Sequence, residues 1–394
     1  VFDGGDNTSF NGGNVVVWNT GTNGGSVGNV SFAGGVDLTG GANMDVEVQA
    51  DGAGESVGDL SVQGASVLDA SDLTVSLAGA GGTGSVDISD GSSIDVGGGG
   101  TLLVDTDTTN GPLESLDGGA DVDGRTGDSL GGANLGDLSL SGTGGATVTT
   151  SGGADITGAV SVDSITINAG AGAGAGVLID PDTTGDFGAA VDVGAVSMDG
   201  SNATNSVQIG SNDANYAAGF TLGGVANSST DDGADFDLVA DLVSGNMALG
   251  ANDYVADADG DIVFEINDDL DGNLTGGADV SVDSDGRFEV TIGGTAQSAT
   301  LGSIDVAGGS NVADPFLFDV TGNTTGMTTF ENVTNETTND GSDVVVLFRS
   351  DAAGITTGDI SLTNAGNVNR GDLDLDVLGA LNDEIRLDGT VTIG

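Results

Sequence analysis

The stretch VGDLSV, residues 57–62, decides the fold, because it returns as LGDLSL at 135–140, TGDISL at 357–362 and VGNVSF at 27–32. Written as a pattern (any residue, Gly, any residue, Val/Ile/Leu, Ser/Asp, apolar), it matches with its glycine at Gly28, Gly34, Gly58, Gly84, Gly136, Gly158, Gly194, Gly302, Gly358 and Gly371. A chain of this composition gives about one match by chance, so the phrase is a degenerate internal repeat, and several of its gaps lie near multiples of about 27 residues. Within each phrase the aliphatics alternate with Ser or Asp, as on a strand with one buried and one wet face. The glycine is expected to turn the corner, and the 74 glycines in all suit positive-φ turns.

Outward from the phrase the same idiom continues as LTVSL, SVDIS, ATVTT, SITIN and RFEVTI, separated by Gly, Asn, Asp and Ser clusters. A helix is nowhere clearly written; DFDLVADLVSG at 235–245 spaces its apolar residues helically but alternates nearly as well. Coils of about 22–30 residues that each hold two or three short strands cannot bury their inward residues alone, whereas stacking at about 4.8 Å closes a narrow core. The expected fold is therefore all-β: a β-solenoid, parallel β-helix-like, with a more irregular, aromatic-containing β region in the second half. The inward set is expected to include Val30, Phe32, Leu60, Val62, Val86, Ile88, Leu138, Leu140, Ile304 and Ile360. Aromatics are absent between Phe32 and Phe187 and dense from Phe187 to Phe348. This divides the chain into an N-terminal β segment at 1–32, a slender solenoid at 33–186, a thicker or sandwich-like β region at 187–348 and a solenoid-like segment at 349–394.

Composition narrows the function. Against 61 Asp and Glu stand five basic residues, for a formal net charge of -56. All five are arginines: Arg125, Arg287, Arg349, Arg370 and Arg386. Such a surface repels nucleic acid and anionic lipid, and its self-repulsion makes salt or divalent cations stabilising. No apolar run approaches the length of a membrane helix. A start at Val1 leads to the expectation of an exported, extracellular or cell-surface chain whose leader peptide has been removed.

With neither His nor Cys and no Lys, the usual bases, nucleophiles and soft metal ligands are missing, and no enzymatic role is expected. Pairs such as Asp121 with Asp123 or Asp283 with Asp285 are what abundant aspartate produces anyway. Calcium is the candidate cofactor. DADGD (Asp257, Asp259, Asp261), NDDLDGN (Asn267, Asp269, Asp271) and DSDG (Asp283, Asp285) place oxygen ligands two residues apart beside glycine, although Ala278 stands where an EF-hand loop would carry its bidentate acid. Asn-x-Ser/Thr sequons include Asn323, Asn332 and Asn335, candidate glycosylation sites. Bare strand-like segments at Asn14, Val15, Val16, Val17 and Trp18 and at Thr390, Val391, Thr392 and Ile393 are candidate assembly strands.

In composition and repeat style the chain resembles bacterial and archaeal surface proteins: S-layer subunits, solenoid adhesins and filament-forming matrix proteins. That resemblance implies a self-assembling extracellular structural subunit whose partners are copies of itself, joined by strand-edge contacts. The alternatives are a surface adhesin that binds glycans, for which Trp18, Tyr216 and Tyr254 would have to line a groove, and a carbohydrate-active β-helix enzyme.

Overall fold

The computed structural model describes residues 130–393 apart from short breaks, the longest at 364–370; before residue 130 it describes strand backbones from Phe2 onward, with side chains at Val30–Phe32, Val36–Leu38, Met44 and Val46. The chain forms two compact units, one made of Val1–Ala169, Gly174–Asp192 and Ile209–Ala214, the other of Gly170–Ala173, Val193–Gln208 and Asn215–Gly394. Both are β-solenoids, and no helix occurs among the described residues.

In the second unit each coil contributes three strands to three parallel ladders. Ladder A stacks Asp235–Ala240, Asp261–Ile266, Arg287–Ile292, Phe316–Val320, Val344–Phe348 and Leu373–Val377. Ladder B stacks Asn246–Leu249, Leu274–Gly276, Ala299–Leu301, Met327–Phe330, Gly354–Thr357 and Ile385–Leu387. Ladder C stacks Tyr254–Ala256, Val280–Val282, Ile304–Val306, Val333–Asn335, Ile360–Leu362 and Val391–Ile393. The first unit repeats the plan from Phe2–Gly4 (B) and Thr8–Gly21 (C, then A) through Gly132–Asn134, Asp137–Ser141 and Gly145–Thr149. Hydrogen-bonded neighbours one coil apart lie 27 residues apart at Thr157 and Leu130, 24 at Ser303 and Asp279, and 31 at Thr390 and Asp359. The coil is thus near the spacing of the sequence phrase, but elastic.

Alternation puts one face of every strand inside. Val30, Phe32, Leu138, Leu140, Ile304 and Ile360 are all buried, as expected; Leu60, Val62, Val86 and Ile88 fall outside the described side chains. The ambiguous stretch at 235–245 is strand, with Phe236, Leu238 and Ala240 inward. Pairing with the strand of the next coil, residue for residue from Asp235 on Asp261, outweighs its weak helical spacing.

The aromatic-rich stretch is built of the same parallel coils, with its rings in the core. Phe236, Phe264, Phe288 and Phe316 form a column along ladder A at centroid spacings of 5.9, 5.6 and 5.6 Å. Tyr254 meets both Phe264 and Phe288 edge-on. Such pairs contribute about 1 kcal/mol each beyond the area they bury.

The glycine of the repeat phrase does a different job from the one its conformational freedom suggests. Gly136 does take a positive φ, of 60°. At Gly158 and Gly358, however, a Cβ would run into the carbonyl of the preceding coil, at Gly131 and Glu331 respectively. Close approach of stacked backbones, more than left-handed geometry, fixes glycine there.

Candidate functional site: the last coil and its corners

In each ladder of the second unit, the last strand pairs with the preceding coil through one edge, Ile355 with Ile385 in B and Ile360 with Val391 in C. Its inward row is open. Ile355 is 1% exposed and Ile360 6%, whereas Ile385, Leu387, Val391 and Ile393 in the same rows are 42, 49, 47 and 67% exposed, and Leu378 beside them 66%. These side chains form an apolar row along the outermost described strands of ladders B and C.

Of the expected assembly residues, Val391 and Ile393 lie in this row, and Thr390 precedes them, its N–H donating to Asp359 Oδ1 at 2.6 Å. Asn14 to Trp18 lie in the strand Thr8–Gly21, paired with Asn43 to Glu47; their side chains are outside the described residues. Sequence reasoning missed Ile385 and Leu387. The alternation in EIRLDG carried the signal, masked by its charges.

At the corners, an Asp or Asn side chain accepts a backbone N–H from the coil that follows. Before ladder C, Asp279 Oδ1 receives Ser303 N (2.8 Å), Asn332 Oδ1 receives Asp359 N (3.0 Å), and Asp359 Oδ1 receives Thr390 N. Before ladder A, Asp343 Oδ1 receives Asp372 N at 2.7 Å; in the first unit, Asp155 Oδ1 receives Asp186 N at 3.0 Å. Much of the aspartate and asparagine is therefore part of the stacking itself. A short polar side chain reaches a donor that the turn would otherwise leave unpaired.

This use extends to the candidate calcium loops. Asp257 and Asp283 start equivalent turns one coil apart, each closed by a glycine N–H, Gly260 on Asp257 O and Gly286 on Asp283 O. Asp259, Asp261 and Asp285 belong to the same two corners. In NDDLDGN, Asn267 N and Asp271 N bond to the coil below, at Ala240 O and Val243 O, and Asp269 Oδ1 accepts Thr295 N. Among the described residues no three carboxylates converge into a metal-binding group.

Two outer faces of the second unit stand out. Along ladder C, the outward column Ser281, Asp305, Thr334 and Ser361 and the corner residues Asp279, Ser303, Asn332 and Asp359 line a groove of about 500 Å3. Burial, then Glu336 and Asp283, pushes the Asp305 carboxyl up. Along ladder A run Asp237, Glu265, Glu289 and Asp319, relieved by Arg287 on Glu289 (2.8 Å) and by Arg349, whose Nε and Nη2 grip Asp319. Asp237, half-buried, has no such partner among the described residues: burial, then Asp235 and Glu265, raises its carboxyl to about 6. The adjoining strand Ser206–Ile209 brings no charge.

Because the folded value lies above the ordinary unfolded one of about 3.9, this group favours the folded state fully below pH ~4 and loses that contribution as pH rises through about 6. Asp237→Asn is expected to raise the melting temperature at pH 8 and to change it little at pH 4. An equal shift at both values would contradict the assignment.

Both tyrosines that an aromatic groove would need are 0% exposed. Tyr254 Oη donates to Leu222 O at 3.1 Å and Tyr216 Oη to Val239 O at 3.5 Å, which lets their hydroxyls sit inside. Trp18 lies outside the described side chains. Among the sequons, Asn323 is exposed, Asn332 is half-buried in the groove, and Asn335 is 2% exposed with its Nδ2 donating to Ser342 O and Asp372 O. The folded geometry therefore favours Asn323 over Asn335 as a glycan acceptor.

Ladders, inward rows and side-chain corners together define a parallel β-solenoid protein. Comparison with family models, curated proteins and solved structures finds no match, so the class rests on the fold. No helix among the described residues is long and apolar enough to cross a membrane.

Proposed function

We propose that the chain is an extracellular structural subunit that assembles with copies of itself by stacking a further coil on its last one, with salt or calcium screening the charge between copies. The observation that carries this reading is the open inward row Ile385, Leu387, Val391 and Ile393, beside strands paired on one edge. The occupant is a second copy; a coil supplied by the same polypeptide past Gly394 is the competing one. A net charge of -56 opposes association until it is screened. A glycan-binding surface is the second reading, favoured by the polar groove along ladder C and weakened by the burial of Tyr216 and Tyr254.

The four open residues are already wet in the single chain, so a charge there leaves its folding intact and strikes only the contact. Sedimentation of the 394-residue chain is expected to show monomer at low salt and large species at molar salt, while Leu387→Asp with Ile393→Asp stays monomeric throughout. A wild-type chain that never associates, or a double variant that associates as well as wild type, overturns the proposal.

A further inference from the structure

Resting on the second reading, that of a glycan-binding surface, we infer that the ladder C groove takes a linear, uncharged glycan laid along the stack with one sugar to a coil. Three observations carry it.

The first is periodicity. Asp253, Asp279, Ser303, Asn332 and Asp359 each stand immediately before a ladder C strand. Beside them run the outward residues Ser281, Asp305, Thr334 and Ser361, paired one on the next. All of them line the groove of about 500 Å3, a size within the range of small-ligand sites. Coils recur about every 4.8 Å, so the polar groups repeat at close to the rise of one sugar in an extended chain. From Asp253 to Asp359 the row covers about 19 Å.

The second is pre-organisation. The Oδ1 atoms of Asp279, Asn332 and Asp359 accept the N–H groups of Ser303, Asp359 and Thr390, and Asn332 Nδ2 donates to Ser303 Oγ at 3.2 Å. These side chains are held by the stack itself before a ligand arrives, and Oδ2 of Asp279 and of Asp359 can still accept from one. Binding therefore costs little side-chain entropy.

The third is the mixture of groups. Hydroxyls and an amide, which donate and accept, stand among carboxylates, which only accept. Sugar hydroxyls match both kinds, whereas a polyamine only donates and would use the lining hydroxyls at half their capacity. A single metal ion is no better match, since among the described residues no three carboxylates converge. Asp253, Asp279, Asp305 and Asp359, with no arginine in the lining, repel an acidic glycan. No aromatic ring lines the groove either, so affinity rests on hydrogen bonds and is expected to be modest, with Kd about 1 mM.

The test is calorimetric titration of the full chain, made without N-glycosylation because Asn332 heads a sequon. Cellohexaose, maltohexaose and N-acetylchitohexaose are the uncharged probes and hexagalacturonate the acidic one. At least one uncharged probe is expected to bind, and hexagalacturonate about tenfold more weakly or not at all. Asp305→Ala with Thr334→Ala, both outward, should weaken binding about tenfold without lowering the melting temperature, while Asp237→Asn on ladder A should leave it unchanged. Binding that survives the double variant would put the glycan elsewhere, overturning this inference while leaving the glycan-binding reading standing. Hexagalacturonate bound as tightly as the uncharged probes would overturn the inference on charge. If no uncharged probe binds at about 10 mM, the inference and the reading fall together.

Discussion

Phe288→Ala is expected to destabilise the second unit by about 3–5 kcal/mol, the largest loss foreseen for any uncharged substitution. The ring is 0% exposed and sits between Phe264 and Phe316, at 5.6 Å from each and stacked on the latter at an interplanar angle of 5°. Tyr254 closes a third side at 6.0 Å. Neighbouring backbones are tied by ladder hydrogen bonds, Phe288 N to Pro315 O among them, and cannot collapse into the space. The loss touches two coil interfaces at once, and in a solenoid such interfaces carry much of the stability. Phe288→Leu should cost markedly less, since it refills most of the volume. Urea denaturation followed by tyrosine fluorescence measures both; a loss below about 1 kcal/mol for Phe288→Ala would mean that the column is not packed as described.

Asn335→Ala is expected to cost about 3 kcal/mol through hydrogen bonding instead of volume. Asn335 ends its ladder C strand pointing inward, where the corresponding residues of earlier coils are Val306 and Val282. Its Nδ2 donates to Ser342 O at 3.0 Å and to Asp372 O at 3.1 Å, and its Oδ1 accepts Thr337 N and Thr337 Oγ1 at 3.0 and 2.7 Å. One amide thereby closes the corner from C to A and fastens it to the following coil. Asn227 repeats the device, donating to Asp261 O and accepting Ser229 N, and Gly260 and Gly371 lie close over the two amides. Truncation removes four hydrogen bonds and takes the acceptor from the Thr337 N–H, while Ser342 O keeps Thr337 Oγ1 and Asp372 O keeps the Val344 N–H. Asn335→Asp keeps the acceptor but turns oxygen toward two carbonyls, so it should be at least as damaging. If Asn335→Leu proved neutral, the position would be a matter of filling space and this account of it would fail.

The same residues show how far the sequence could be read. Strand alternation and the glycine phrase were enough for the solenoid and for inward residues such as Leu138 and Ile304, because a period of two needs no knowledge of what stacks on what. Asn335 reads as a glycosylation sequon, and only coil register reveals that its amide is spent on Thr337, Ser342 and, from the next coil, Asp372. Coil length varies between neighbours, so that register cannot be counted from the chain alone. Asp269 shows the same limit: only coil register brings Thr295 from the next coil to donate its N–H to that carboxylate. The open row was half legible, TVTI plainly and EIRL hardly, since charge at alternate positions hides a strand's apolar side. Tyr216 and Tyr254 went inside because stacked backbones supply carbonyls for their hydroxyls, which composition cannot foresee.

The central claim is that copies join by covering the last coil, and cryo-electron microscopy of the protein at about 1 M salt, where charge is screened within about 3 Å, tests it most directly. The account predicts assemblies in which the ladder spacing of about 4.8 Å runs unbroken from one copy into the next, with Leu387 and Ile393 buried at the junction. Dispersed single copies, or assemblies that leave Leu387 and Ile393 facing solvent, would contradict it.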